Sequence, residues 1–138
     1  MATVLTSRLP RNPNSALVAM VTMADGSTYR IKRLLAAGKT NTKLSKNGKR
    51  YLTLGLSNAP HKQSGIGNLC PHASSGCKAL CLNISGRTVG QSESTNMIIR
   101  ARIARARLDF QDRPLFLRML RHELSLSRAR SASERRSK

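Results

Sequence analysis

Apolar residues change their spacing along the chain, from short strand-like runs before Cys70 to helix-like repeats after Cys81. Two such runs flank Asp25-Gly26 in LVAMVTMADGSTYRI, and Asp-Gly between apolar runs is a strong hairpin signal. Strands are therefore expected at about 17–23 and 28–33. Their alternation is imperfect, because Ala19, Val21 and Met23 on one side and Val18, Met20 and Thr22 on the other are both fairly apolar. That suits a strand covered on both faces, or an edge strand in a crowded small sheet. RLLAAG then predicts one short turn of helix stopped by Gly38. A second hairpin is expected from Thr42–Leu44 and Arg50–Leu56, joined through Lys46-Asn47-Gly48-Lys49. In YLTLGL, Leu52, Leu54 and Leu56 share one face, the cleanest period of two in the chain. Gly55 marks a bulge or a close backbone approach there.

The carboxy-terminal third reads as two helices. From about Glu93 to Phe110 there is no Gly or Pro, with Ser92 as the candidate cap. Ile99, Ile103, Ala106 and Phe110 fall on one helical stripe, bordered by Arg100, Arg102, Arg105 and Arg107. Pro114 suits a first helical turn, and Asp112 is placed to cap it. The second helix, about 114–127, spreads Leu115, Phe116, Leu117, Met119, Leu120, Leu124 and Leu126 over a broad arc. Such an arc calls for burial against the first helix and the sheet, or against a second copy of the chain. The fold class that follows is α+β: a small antiparallel sheet of two hairpins, a cysteine-bearing loop and two carboxy-terminal helices. Residues 1–15 read as a flexible amino terminus, 16–127 as a single domain, and 128–138 as a basic flexible tail.

Composition sharpens this picture. The chain of 138 residues carries a formal charge of +19, far beyond what solubility needs. Between Gly26 and Ser92 there is no Asp or Glu, yet that span holds Arg30, Lys32, Arg33, Lys39, Lys43, Lys46, Lys49, Arg50, Lys62, Lys78 and Arg87. A single-sign field of this extent predicts a polyanionic partner, and nucleic acid is the expected one. Candidate contacts are Lys46, Lys49 and Arg50 in the second turn and Arg100, Arg102, Arg105 and Arg107 on the first long helix. Aromatic residues are scarce, so duplex DNA is expected ahead of single strands, which need stacking platforms. A membrane surface is not expected as the partner, because the apolar helix face is needed for the core. No apolar run suits a signal peptide or a membrane span, which points to the cytoplasm.

All three cysteines lie in CPHASSGCKALC: Cys70, Cys77 and Cys81, with His72 between the first two. Three thiolates and an imidazole form a soft ligand set suited to zinc, and thiolates also hold a 4Fe–4S cluster. A single helical turn would point Cys77 and Cys81 the same way. Against zinc, no C-x2-C knuckle is present, and three small buried thiols with no metal is the plain alternative. Enzyme chemistry is less expected. The chain has no phosphate-binding glycine loop and no HExxH, which leaves a metal-dependent nuclease built on Glu93, Asp109 or Asp112 with a histidine.

The span from Lys43 to Glu123 resembles a family of phage- and plasmid-encoded proteins. Their shared core is an LS…G…YL hairpin, then C-P-x-A-x3-C-x3-C, then an Arg-rich helix. The matching residues are Leu44, Ser45, Gly48, Tyr51 and Leu52, then Cys70, Pro71, Ala73, Cys77 and Cys81, then Arg100 to Arg107. The family pattern often has a glycine after Cys-Pro and an aromatic after the last cysteine, where this chain has His72 and Leu82. The resemblance implies a mobile-element origin and a shared fold, and brings no activity with it. The expected function is nucleic-acid binding through phosphate contacts beside a cysteine-ligated centre, in the host cytoplasm. The alternatives are a phage structural or packaging protein, virion-associated and oligomeric through the 114–127 helix, and the nuclease.

Overall fold

The computed structural model describes residues 17–37, 44, 51–81, 83 and 96–136. The first hairpin forms as expected, from β1 (Ala19–Thr22) and β2 (Thr28–Ile31), antiparallel, with Ala19 opposite Ile31 and Thr22 opposite Thr28. Its turn is set by Gly26 at φ 78° and by Asp25, whose Oδ1 accepts from the backbone amide and the hydroxyl of Ser27. Alternation decides which face is buried. Ala19, Val21 and Met23 enter the core with Ile31 and Leu34, while Val18, Met20 and Thr22 stay half-buried.

RLLAAG forms no helical turn. Leu35–Ala37 is a strand, β3, paired antiparallel with β4 (Leu54–Leu56) in the register Leu35–Leu56, Ala36–Gly55, Ala37–Leu54. The reason lies 88 residues away: the Glu123 carboxylate accepts from the Leu34 and Leu35 amides at 2.7 and 2.9 Å. The second hairpin expected within 42–56 is also replaced, since β4 pairs with β3 and Leu44 is helical. Leu44 instead lies over Gly55, where an added Cβ would stand 2.8 Å from its Cδ1, so the glycine marks a close approach. The Lys46–Lys49 turn, Gly38 and residues 1–15 lie outside the described residues. The two strand pairs form two separate sheets among the described residues, not one.

A short helix, α1 (Ser75–Ala79), is capped by Ser74, whose hydroxyl accepts from the Cys77 amide at 3.1 Å. The long helices are α2 (Met97–Gln111) and α3 (Arg113–Arg136). Asn96 is the cap of α2, its Oδ1 accepting from the Ile98 and Ile99 amides; the expected cap, Ser92, lies outside the described residues. Asp112 joins the two helices. Its amide closes α2 on Leu108 O, and its Oδ1 accepts from the Leu115 amide at the start of α3, with Pro114 in the first turn.

The core places Ile99, Ile103, Ala104, Ala106 and Leu108 of α2 and Leu115, Phe116 and Met119 of α3 against the first hairpin. Phe110, expected on this stripe, is instead 42% exposed and lies over Gly67, where any side chain would collide with its ring. Residues 128–136, expected within a tail, continue α3, which runs on to Arg136. Once packing of its first turns has nucleated the helix, each further residue adds one hydrogen bond at little entropic cost, and no Gly or Pro intervenes.

Candidate nucleic-acid interface and cysteine segment

The arginines of α2 bond back into the fold. Arg100 pairs with Asp25 at 3.0 Å and donates to the Ser27 hydroxyl at 2.8 Å, tying the helix to the hairpin turn. Arg102 donates to Asn83 Oδ1 at 2.7 Å, and Asn83 donates to Gln63 Oε1 at 2.8 Å. Arg105 donates to the carbonyls of Arg33 and Ser57 at 3.4 and 3.2 Å. Arg107 is buried, with Nε on Thr22 O and one terminal nitrogen on Ser64 O, both at 2.7 Å.

Four side chains expected to face a phosphate backbone thus serve first as staples, and Arg107 does not reach the surface. Spacing around a helical stripe shows which residues border the core. It cannot show whether loop carbonyls stand within reach of a long side chain. The stapled loop runs from Ser57 to Leu69. Its Ala59 amide donates to Arg102 O, and its His61 adopts a left-handed φ of 53° while accepting from the Leu69 amide at 3.0 Å.

The acidic side chains of Asp25, Asp109, Asp112 and Glu123 are spent internally. Asp25 serves Ser27 and Arg100, Asp109 pairs with Arg113 at 3.1 Å, Asp112 caps α3, and Glu123 holds β3. The two hydrogen bonds from Ser27, aided by Arg100, bring the Asp25 carboxyl down to about 2 from an ordinary 3.8. With Asp109 and Asp112 engaged and Glu93 outside the described residues, those carboxylates offer no ready pair for a nuclease metal.

Most of the charge that the described residues expose is basic. Arg30, Lys32 and Arg33 are exposed at and just after β2, and Arg113, Arg118, Arg121, Arg128 and Arg130 are exposed along α3. Two clefts run beside them. One, between β2 and α2, is lined by Tyr29, Arg30, Ile31, Lys32, Arg33, Ala101 and Arg105. The other, between the β3–β4 sheet and α3, is lined in part by Lys32, Arg33, His122, Glu123 and Arg130. Lys32 and Arg33 border both, so the clefts share one basic ridge that sequence reasoning had not singled out. Its signal, R-x-K-R closing a strand, was legible only as part of a diffuse charge. Burial lowers the proton affinity of Arg105, opposed by Tyr29 and Glu123 and reinforced by Arg102. Lys46, Lys49 and Arg50 lie outside the described residues.

The cysteine segment stands apart from the core. Cys70 is half-buried, its Sγ accepting from the His61 amide at 3.4 Å and its own amide donating to Asn68. His72 and Cys77 are exposed, and Cys81 is half-buried. All three thiols are free, and α1 buries no residue. Because α1 ends at Ala79 and is capped by Leu80, Cys81 falls beyond the helix and does not share the face of Cys77 by helical spacing. Among the described residues no three His, Cys, Asp or Glu side chains are gathered to hold an ion. Nor is any helix among them long and apolar enough to cross a membrane.

A family model described as Gene product 88 matches residues 32–137. No curated protein matches the chain, and no solved structure does.

Proposed function

The chain belongs to the gene product 88 family, a phage-type family, and on that premise we propose a nucleic-acid-binding protein that grips a phosphate backbone. The observation that supports it is the ridge of Lys32 and Arg33 between two clefts, continuous with Arg30 and Arg105 on one side and Arg130 on the other. Glu123 is the one carboxylate lining either cleft among the described residues, and its oxygens already take two backbone amides. Positive charge therefore outnumbers negative charge there, and a polyanion lowers the potential by releasing counterions.

Duplex DNA is the favoured ligand. Tyr29 is half-buried and Phe116 buried, which leaves few stacking surfaces beyond Tyr51 and Phe110. The host cytoplasm, which is reducing and rich in polyanions, is the proposed setting for free thiols and this charge.

The cysteine segment, inside the matched span, is proposed to close around a soft metal, zinc ahead of a 4Fe–4S cluster. The ligands would be Cys70, Cys77 and Cys81, with His72 as the fourth. The support is the donor chemistry together with α1 itself: five residues burying nothing form a helix too short to persist unaided. Bound metal would supply the missing tie between the loop and α1.

A salt titration of binding tests the interface. Affinity for duplex should fall linearly with log salt, and Lys32→Ala with Arg130→Ala should reduce the slope by roughly two. Loss of binding to every nucleic acid near physiological salt, with copies still assembling through α3, would favour the structural-protein alternative instead.

A further inference from the structure

The cleft between β2 and α2 differs from the rest of the basic surface in how its charge is held. Tyr29, Arg30, Lys32, Arg33 and Arg105 line a space of about 240 Å³, and no carboxylate lines it among the described residues. Exposed lysines and arginines elsewhere can swing apart to relieve repulsion. Arg105 cannot: its Nε and one terminal nitrogen are bound to the carbonyls of Arg33 and Ser57, which fixes the plane of the guanidinium. Its partial burial also costs the cation hydration. The carboxylate that acts on it, Glu123, is held by the Leu34 and Leu35 amides. A half-desolvated, oriented guanidinium with further cations and a phenol along one cleft is the donor set for a tetrahedral oxyanion.

We infer that this cleft is a discrete site for one phosphoryl group, in which Arg105 is the fixed donor and Arg30, Lys32 and Arg33 close around the ligand. The site rests on the nucleic-acid reading only for the source of that group. A backbone phosphodiester and a free di- or triphosphate present the same chemistry, and Arg105 is positioned before either arrives. Preorganisation reduces the ordering cost of binding, so this cleft takes a phosphoryl group more tightly than the exposed arginines of α3.

The test is nuclear magnetic resonance on the isotope-labelled full chain, titrated with inorganic pyrophosphate and, separately, with a short duplex, ionic strength held by chloride. Pyrophosphate should move the backbone amides of Tyr29 to Arg33 and the Nε of Arg105 saturably. Arg30→Gln with Lys32→Gln, both at exposed positions, should weaken that binding about tenfold or more while the remaining spectrum stays folded. Duplex that displaces pyrophosphate from these resonances supports the site and identifies a backbone phosphodiester as its ligand. Saturable pyrophosphate binding that duplex leaves untouched supports the site for a free phosphate compound, and it is the interface reading that then fails. A drift without saturation, shared equally by Arg118 and Arg121, overturns the site, because it describes general counterion attraction. Duplex binding that never moves these resonances, with no saturable pyrophosphate binding, also overturns the site while leaving the interface reading intact.

Discussion

Arg107 donates to the carbonyl of Ser64 at 2.7 Å although both residues are buried, at 7% and 1% exposure. The same guanidinium takes Thr22 O at 2.7 Å, so one side chain of α2 holds the end of β1 and the loop before Cys70 together. The bond orders the basic domain from inside, at a position that the charge pattern alone assigns to the surface.

Removing Arg107 should therefore cost stability far more than binding. Arg107→Ala strands two carbonyls, and hydrogen bonds to a charged donor carry about 1.5–3 kcal/mol each, so a loss of roughly 3 kcal/mol is expected. Arg107→Lys should recover only part of it, since an ammonium has no planar fork to reach both carbonyls. Urea unfolding of the two variants checks this; a change below about 0.5 kcal/mol for the alanine variant, the usual size at surface positions, would contradict it.

Glu123→Gln should loosen β3 without unfolding the helices. The amide nitrogen of Gln cannot accept, so one of the Leu34 and Leu35 amides loses its partner at a cost of about 1–3 kcal/mol. Hydrogen exchange should accelerate at those two amides and spare Ile103 and Leu108 in α2. Uniform acceleration across the chain would show that Glu123 has no local role.

Asp25 should titrate near 2, below its ordinary 3.8. The folded-state value is depressed, so its contribution is fully present above pH 3.8 and is lost as pH falls from there through about 2. Ser27→Ala and Arg100→Ala should each raise the Asp25 value toward 3.8, because each removes a hydrogen bond to the carboxylate. Carbon-detected titration of the carboxyl reads both variants. A value that neither variant moves would show that these hydrogen bonds do not depress it.

Elemental analysis of protein purified without oxygen should find one zinc per chain, or iron and sulfide near four each if the centre is a 4Fe–4S cluster. Metal removal, or Cys77→Ala, should then lower stability well beyond a typical surface change, because metal-binding energy becomes folding energy. Metal-free protein with three titratable thiols at full stability would end that proposal.

Elements whose forces are local were legible in the sequence. Asp25-Gly26 between apolar runs yields the first hairpin because the turn needs a residue at positive φ and both strands bury one face. The stripe through Ile99, Ile103 and Ala106 yields α2, and Asp112 before Pro114 yields the junction, since caps and periodicity act within a few residues. Distant partners decided the rest. RLLAAG became a strand because Glu123 claims two of its amides, and Leu56 pairs with Leu35 because that strand offered an edge. Phe110 left the stripe for Gly67. Arg105 and Arg107 turned inward because backbone carbonyls of Thr22, Arg33, Ser57 and Ser64 stood within their reach, and Arg100 and Arg102 found the side chains of Asp25, Ser27 and Asn83. Net charge follows from composition alone. Which cations remain free to meet a ligand depends on where the chain places its own acceptors, and only the folded arrangement determines that.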